Sequence, residues 1–216
     1  MDPSPSPPRQ RDADRSREAI LDAAEALFAE RGYEGASLQE IGKRAGVSRG
    51  TPGYFFGSKD ALYRAVLERL FAAELELVLG AAARAQEADG PEAALVAAIE
   101  SFFDFLDARP SFVRLLDREA LAGGSLLATT AAHRASMGEG LAATAALLAN
   151  GPFRPLDPAF FLLDILALCW FPIAHAETFA RGLGLDPASV AFAAARRRHV
   201  VAFVLRGIRR DPSEQK

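Results

Sequence analysis

Apolar residues recur at three- and four-residue spacing along nearly the whole chain, and glycine or proline interrupts them at intervals. That pattern restricts the fold, because period-3.6 apolar stripes bury themselves as helices and sit badly in strands. Ile20, Ala23, Leu27 and Phe28 share one such face, and Leu62, Val66, Leu70 and Leu77 share another. Breaks fall at Asp89-Gly90-Pro91, Arg109-Pro110, Gly123-Gly124, Asn150-Gly151-Pro152 and Leu183-Gly184. The segments between them run to about 12 to 28 residues, helix-sized rather than strand-sized. An all-α chain of about nine helices follows, with no strand expected.

With 216 residues, half of them hydrophobic, the chain can bury a sizeable core as a small head on a larger body. Its formal net charge is only -3, so any nucleic-acid affinity must rest on local charge. A single cysteine, Cys169, lies in an apolar run and reads as a plain buried thiol in a reducing compartment, the cytoplasm. The first residues, Met1 to Arg9, lack the apolar core of a signal peptide. The most apolar stretch, Phe160 to Ala174, is shorter than the roughly 20 residues a bilayer demands and contains Asp164. It is expected to be a helix buried on most faces.

Residues 1–13, rich in Pro, Ser and charge, read as a disordered tail, with Asp14 or Ser16 capping the first helix and Gly32 ending it. Ser37 and Glu40 then have capping-box spacing. Gly46 stops that short helix, Ser48 opens another running to about Phe56, and Ser58 caps a long fourth helix. Two short capped helices around a glycine turn form the helix-turn-helix layout, residues 37–56. Lys43, Arg44, Arg49 and Lys59 face only Glu40 between residues 37 and 59, which leaves +3 in an acidic chain. Phosphate contacts need such a local excess of cations. Ser48, Thr51 and Tyr54 add hydroxyl donors.

Residues 17–67 resemble the DNA-binding head of the tetracycline-repressor (TetR) family. The matching words are Ile20-Leu21-Asp22-Ala23-Ala24, Leu27 to Tyr33, Ala45-Gly46-Val47-Ser48-Arg49-Gly50-Thr51, and Phe56-Gly57-Ser58-Lys59-Asp60-Ala61-Leu62. The resemblance implies that Ser37 touches a phosphate and that Arg49 and Gly50 lie at the groove floor. It places Thr51 and Tyr54 on the DNA backbone, Phe55 near base edges, and Lys59 on a phosphate. It also implies a head core of Phe28, Leu38, Ile41, Val47 and Phe56. The chain departs from the pattern at Pro52-Gly53, where many relatives carry a leucine and a tyrosine. Proline is tolerated only in the first helical turn, so the third helix is expected to start with Thr51 as cap and Pro52 as first residue.

The resemblance further implies a helical ligand-binding and dimerisation body, with the last two helices forming a homodimer interface. The last helix, about 187–209, shows Val190, Ala194, Val201, Val204 and Ile208 on one side. A cavity for a hydrophobic small-molecule effector is expected among the helices after Pro91. Candidate lining is Phe102, Phe103, Phe105, Phe112, Met137 and Trp170, with Arg114, His133 and His175 as polar anchors.

The sequence thus divides into a tail (1–13), a DNA-binding domain (14–75) and a ligand-binding and dimerisation domain (76–210). The function it implies is a ligand-responsive repressor that binds a palindromic operator as a dimer. It needs no cofactor or metal and is not held in a membrane. The alternative is a helical sensor whose head no longer reads DNA, motivated by Pro52-Gly53. An enzymatic reading through His133, Ser136 and Asp104 lacks a nucleophile elbow or metal-ligand spacing, so no catalysis is expected.

Overall fold

The computed structural model describes residues 8–210, and these form eleven helical segments and no strand. In chain order they are α1 (Pro8–Arg31), α2 (Leu38–Arg44), α3 (Thr51–Phe56), α4 (Lys59–Ala85), α5 (Pro91–Ala108) and α6 (Pro110–Leu121). There follow α7 (Ser125–Thr129), α8 (Ala131–Asn150), α9 (Pro158–Ala174), a π-helical turn (Ala176–Ala180) and α10 (Val190–Ile208). The chain divides into two compact units. One comprises residues up to 70 with 114–130, and the other comprises 71–113 with the residues after 130. A cut at residue 75 therefore misses a piece of the first unit that arrives late in sequence. Long-range packing recruits it, and local pattern carries no trace of that.

The expected tail needs correction where it is described. Helix α1 already includes residues 8–13, while residues 1–7 lie outside the described residues. Neither Asp14 nor Ser16 caps it: the Ser16 hydroxyl donates to the Asp12 carbonyl at 2.9 Å, an interior-helix bond. The other end follows the sequence. Gly32, at φ 76°, closes α1, and Arg118 of α6 donates to the carbonyls of Ala29 (3.4 Å) and Glu30 (3.1 Å). An arginine at a helix C-terminus satisfies orphan carbonyls and complements the dipole.

The first unit is closed around Ile20, Ala24, Phe28, Ile41, Leu62 and Val66, all fully buried. Phe28 meets Tyr63 edge-on at 4.8 Å, and Tyr33 meets Tyr63 at 5.2 Å. The Tyr63 hydroxyl donates to the buried Glu119 carboxylate at 2.6 Å, and burial pushes the phenol above its usual pKa. Arg69 ties α4 to α1 through Asp22 (2.7 Å) and Glu25 (2.6 Å).

In the second unit, Leu95, Ile99, Phe103, Leu106, Phe112, Phe153, Cys169, Val200, Val204 and Ile208 form the core. Burial raises the Cys169 thiol to about 12, so it is an inert apolar filler. Phe153 and Arg209 pair as an isolated bridge, and Arg210 donates to the Phe153 carbonyl at 2.6 Å. Helix α9 is less buried than its composition predicts. Phe160 is 70 % exposed and Leu163 59 %, and on α10 Phe203 is 59 % exposed. Nothing among the described residues covers that side. No helix among the described residues is long and apolar enough to cross a membrane.

Candidate nucleic-acid interface and cavity

Ser37 caps α2 by accepting from the Glu40 amide at 3.2 Å. Its hydroxyl in turn donates to the Glu40 carboxylate at 2.9 Å, and Arg31 donates to the same carboxylate at 3.0 Å. These partners hold the Glu40 carboxyl below the usual range, Ser37 foremost. Gly46, at φ 70°, turns the chain out of α2. Helix α3 starts one residue earlier than expected, with Gly50 as cap, Thr51 inside the helix and Pro52 in its first turn. Ser48 does not cap the backbone; its hydroxyl pairs with that of Thr51 at 2.7 Å.

Pro52 is buried, and an added Cβ on Gly42 of α2 would lie 3.2 Å from the Pro52 ring and 3.1 Å from the Ser48 carbonyl. Gly42 and Pro52 are thus a fitted pair at the α2–α3 crossing. The proline fills that contact without needing a backbone donor. On the open side, a Cβ at Gly50 or Gly53 would meet nothing within 4 Å. Tyr54, 84 % exposed, stands beside them with its ring 5.3 Å from that of Phe55.

The four expected cations separate into two kinds. The side chains of Lys43 and Arg49 are exposed and, among the described residues, make no ion pair or hydrogen bond. Arg44 instead forks onto Glu30 of α1 through two bonds of 2.8 Å, holding that carboxyl below its usual pKa. Lys59 donates to the carbonyls of Tyr33 (3.0 Å) and Ala36 (3.2 Å) and lies 4.2 Å over the Tyr33 ring. The resemblance gives Lys59 to a phosphate, but here it braces the α1–α2 connection, and its ammonium also lies 4.0 Å from the exposed Glu34 carboxylate.

The second unit holds a cavity of about 150 Å³ bounded by α4, α5, α8 and α9. Of the expected lining, Phe102 and Met137 face it. The other candidates lie elsewhere. Phe105 and Phe112 stack edge-on at 5.0 Å, and Phe71 meets Phe112 (5.2 Å) and His133 (4.6 Å). Burial lowers the His133 imidazole below its usual pKa, and among the described residues its buried Nδ1 has no hydrogen-bond partner. Phe103 packs under Arg197, whose guanidinium lies 5.5 Å over the ring. Trp170 and His175 pair at 5.9 Å away from the lining, and Arg114 belongs to the first unit. The imagined triad is dispersed. Ser136 donates to Glu74 at 3.0 Å, and Asp104 is held by Arg197.

Two cavity residues were missed as ligand candidates. Glu74 and Ser136 are buried, and both line the cavity. Burial raises the Glu74 carboxyl to about 7, opposed by the Ser136 hydrogen bond. The signal was available: Glu74 sits four residues after Leu70 and three before Leu77, an acid set into the apolar stripe of α4.

Comparison with known proteins agrees with this architecture. Residues 20–66 match the family model described as bacterial regulatory proteins of the tetR family. Residues 91–204 match the tetracyclin repressor-like C-terminal domain. The transcriptional repressor NicS of Pseudomonas putida is 30 % identical over 211 residues, covering 94 % of this chain and 96 % of that one. The transcriptional regulator RutR of Escherichia coli is 32 % identical over 174 residues, covering 80 % and 78 %. A crystal structure of a transcriptional regulator from Streptomyces coelicolor superposes with a TM-score of 0.69 at 28 % identity, over 91 % of this chain and 99 % of that one. A helix-turn-helix head at one end and a matching C-terminal body at the other leave one assignment: the chain belongs to the TetR family of bacterial regulatory proteins and is a DNA-binding transcriptional regulator.

Proposed function

We propose that this regulator is a cytoplasmic repressor that holds a palindromic operator as a homodimer and releases it when a small molecule fills the cavity of the second unit. The observation that carries the reading is the open face of the α2–α3 pair. Lys43 and Arg49 stand there unpaired, Tyr54 is exposed, and Gly50 and Gly53 present bare backbone. Free cations supply phosphate attraction. Side-chain-free positions let the backbone approach the groove closely. Thr51, Ser48 and Phe55 contribute at the margin, whereas Ser37, Arg44 and Lys59 must first give up their carboxylate partners.

Dimerisation is assigned to α9 and α10, whose exposed Phe160, Leu163 and Phe203 need an apolar cover. Two-fold pairing places two heads on half-sites about one helical turn, or a multiple, apart. Helix α4 is unbroken from Lys59 to Ala85, contributing residues to the first unit and, from Glu74 on, to the cavity. A ligand that prefers one setting of α4 shifts the population between DNA-competent and released forms. The regulator acts by binding alone, without turnover.

Mobility-shift titration against fragments from its own promoter region tests the reading. Retardation should appear at low salt and weaken steeply as salt rises. Failure to retard any genomic fragment at low salt without ligand would defeat it, and would favour a sensor with a silent head.

A further inference from the structure

The cavity's lining has one ionisable member. Leu77, Val78, Ile99, Phe102, Met137 and Phe161 are typical of the rest. The hydroxyls are already engaged, Thr144 donating to the Gly140 carbonyl at 2.7 Å and Ser136 donating to Glu74 at 3.0 Å. Glu74 is 4 % exposed and, among the described residues, makes no ion pair. Its Oε2 accepts the Ser136 hydroxyl, and among the described residues nothing donates to its Oε1.

A carboxylate offers about four acceptor positions, and this one has a single protein donor. Buried charges are ordinarily paired, because removing one from water without a partner is costly. The chain therefore keeps an acid on an apolar wall where an apolar residue would pack better. A neutral hydrocarbon ligand would leave Glu74 as unsatisfied as before. An anionic one would meet like charge. A cation supplies the missing donors and the missing charge together. Burial also raises the carboxyl to about 7, so near neutrality a bound cation can hold it ionised with little proton penalty.

Resting on the reading of this cavity as the effector site, we infer that the effector is an apolar organic cation, an amine of roughly one-ring bulk whose ammonium seats on Glu74 beside Ser136. A cavity of about 150 Å³ suits one aromatic ring.

Three probes of one shape separate the possibilities: 2-phenylethylamine, 2-phenylethanol and 3-phenylpropionate, titrated calorimetrically into the full chain at neutral pH. The amine should bind about tenfold or more tighter than the alcohol, and the carboxylate weakest of the three. Glu74→Gln should erase the preference for the amine while leaving alcohol affinity within about twofold. Equal binding of amine and alcohol by the unsubstituted protein, or tighter binding of the carboxylate, would overturn the inference, and this comparison needs no variant to fold. Ala98→Phe, which fills the cavity from α5, separates the two levels of failure. Amine and alcohol binding equally, both lost in Ala98→Phe, would reject the cation and leave the cavity reading standing. Binding that Ala98→Phe does not weaken, or no binding by any probe, would reject both.

Discussion

The two units of this regulator treat buried polarity in opposite ways. In the first, Glu119 receives the Tyr63 hydroxyl, and Arg118 reaches the end carbonyls of α1. In the second, among the described residues, three buried polar atoms lack partners, His133 Nδ1, Trp170 Nε1 and Arg196 Nε, and Glu74 has one donor where it could take several. The unit with the helix-turn-helix is closed and satisfied, whereas the other has a hollow and an apolar side open to solvent. A reader of DNA gains from rigidity, since its side chains must meet a fixed lattice of phosphates. A sensor gains from leaving part of its polarity for a ligand to complete.

Truncation tests the contrast most severely. Phe28→Ala, at the centre of the closed unit, should cost about 3–5 kcal/mol of stability in denaturant unfolding. Phe102 is only half-buried beside the cavity, so Phe102→Ala should cost less, about 1–2 kcal/mol. Equal costs would remove the distinction between a filled core and a hollow one.

The pH dependence of Glu74 comes next. Its carboxyl titrates near 7 when folded against 4.5 as the ordinary value, so the folded state holds the proton more tightly. The stability linked to this group is full below about pH 4.5 and is lost as pH rises through 7. Glu74→Gln mimics the protonated form throughout. It should leave stability unchanged near pH 4.5 and raise it by up to about 3 kcal/mol at pH 8, read from the unfolding midpoint. A variant less stable than the parent at pH 8 would mean that the carboxylate is better solvated than its burial implies.

A smaller effect concerns the exposed cations. Arg49→Ala should weaken operator binding by about 1–3 kcal/mol, and Lys43→Ala should lower the salt slope by roughly one unit on every sequence. Arg44→Ala, in contrast, should act chiefly on stability, because Arg44 already spends its fork on Glu30. A larger loss of operator binding for Arg44→Ala than for Arg49→Ala would reverse the division between free and committed cations.

Smallest of all is Gly53→Ala. Its Cβ meets nothing, so the helix should gain about 0.5–1 kcal/mol. If the bare backbone serves close approach to the groove, the same variant binds operator less tightly in the mobility shift. Unchanged affinity would free Gly53 from that role.

Much of this was legible in the residues alone. The helical class, the positions of Gly32, Gly46 and Ser58, the capping pair Ser37–Glu40 and the helix-turn-helix words are local signals, governed by spacing and backbone preference within a few residues. What stayed hidden depends on pairs far apart in sequence. Arg44 and Lys59 look alike as cations, yet Glu30 and the Tyr33 and Ala36 carbonyls already engage them. Phe105, Phe112 and Phe102 look alike as phenylalanines, yet only Phe102 reaches the cavity. Apolar spacing determined that helices would form, and residues 37–59 by themselves carry a local excess of positive charge. Tertiary packing decided which charges stay free and where the core stays hollow, because a side chain's partner is set by the approach of whole helices and not by its neighbours in the chain.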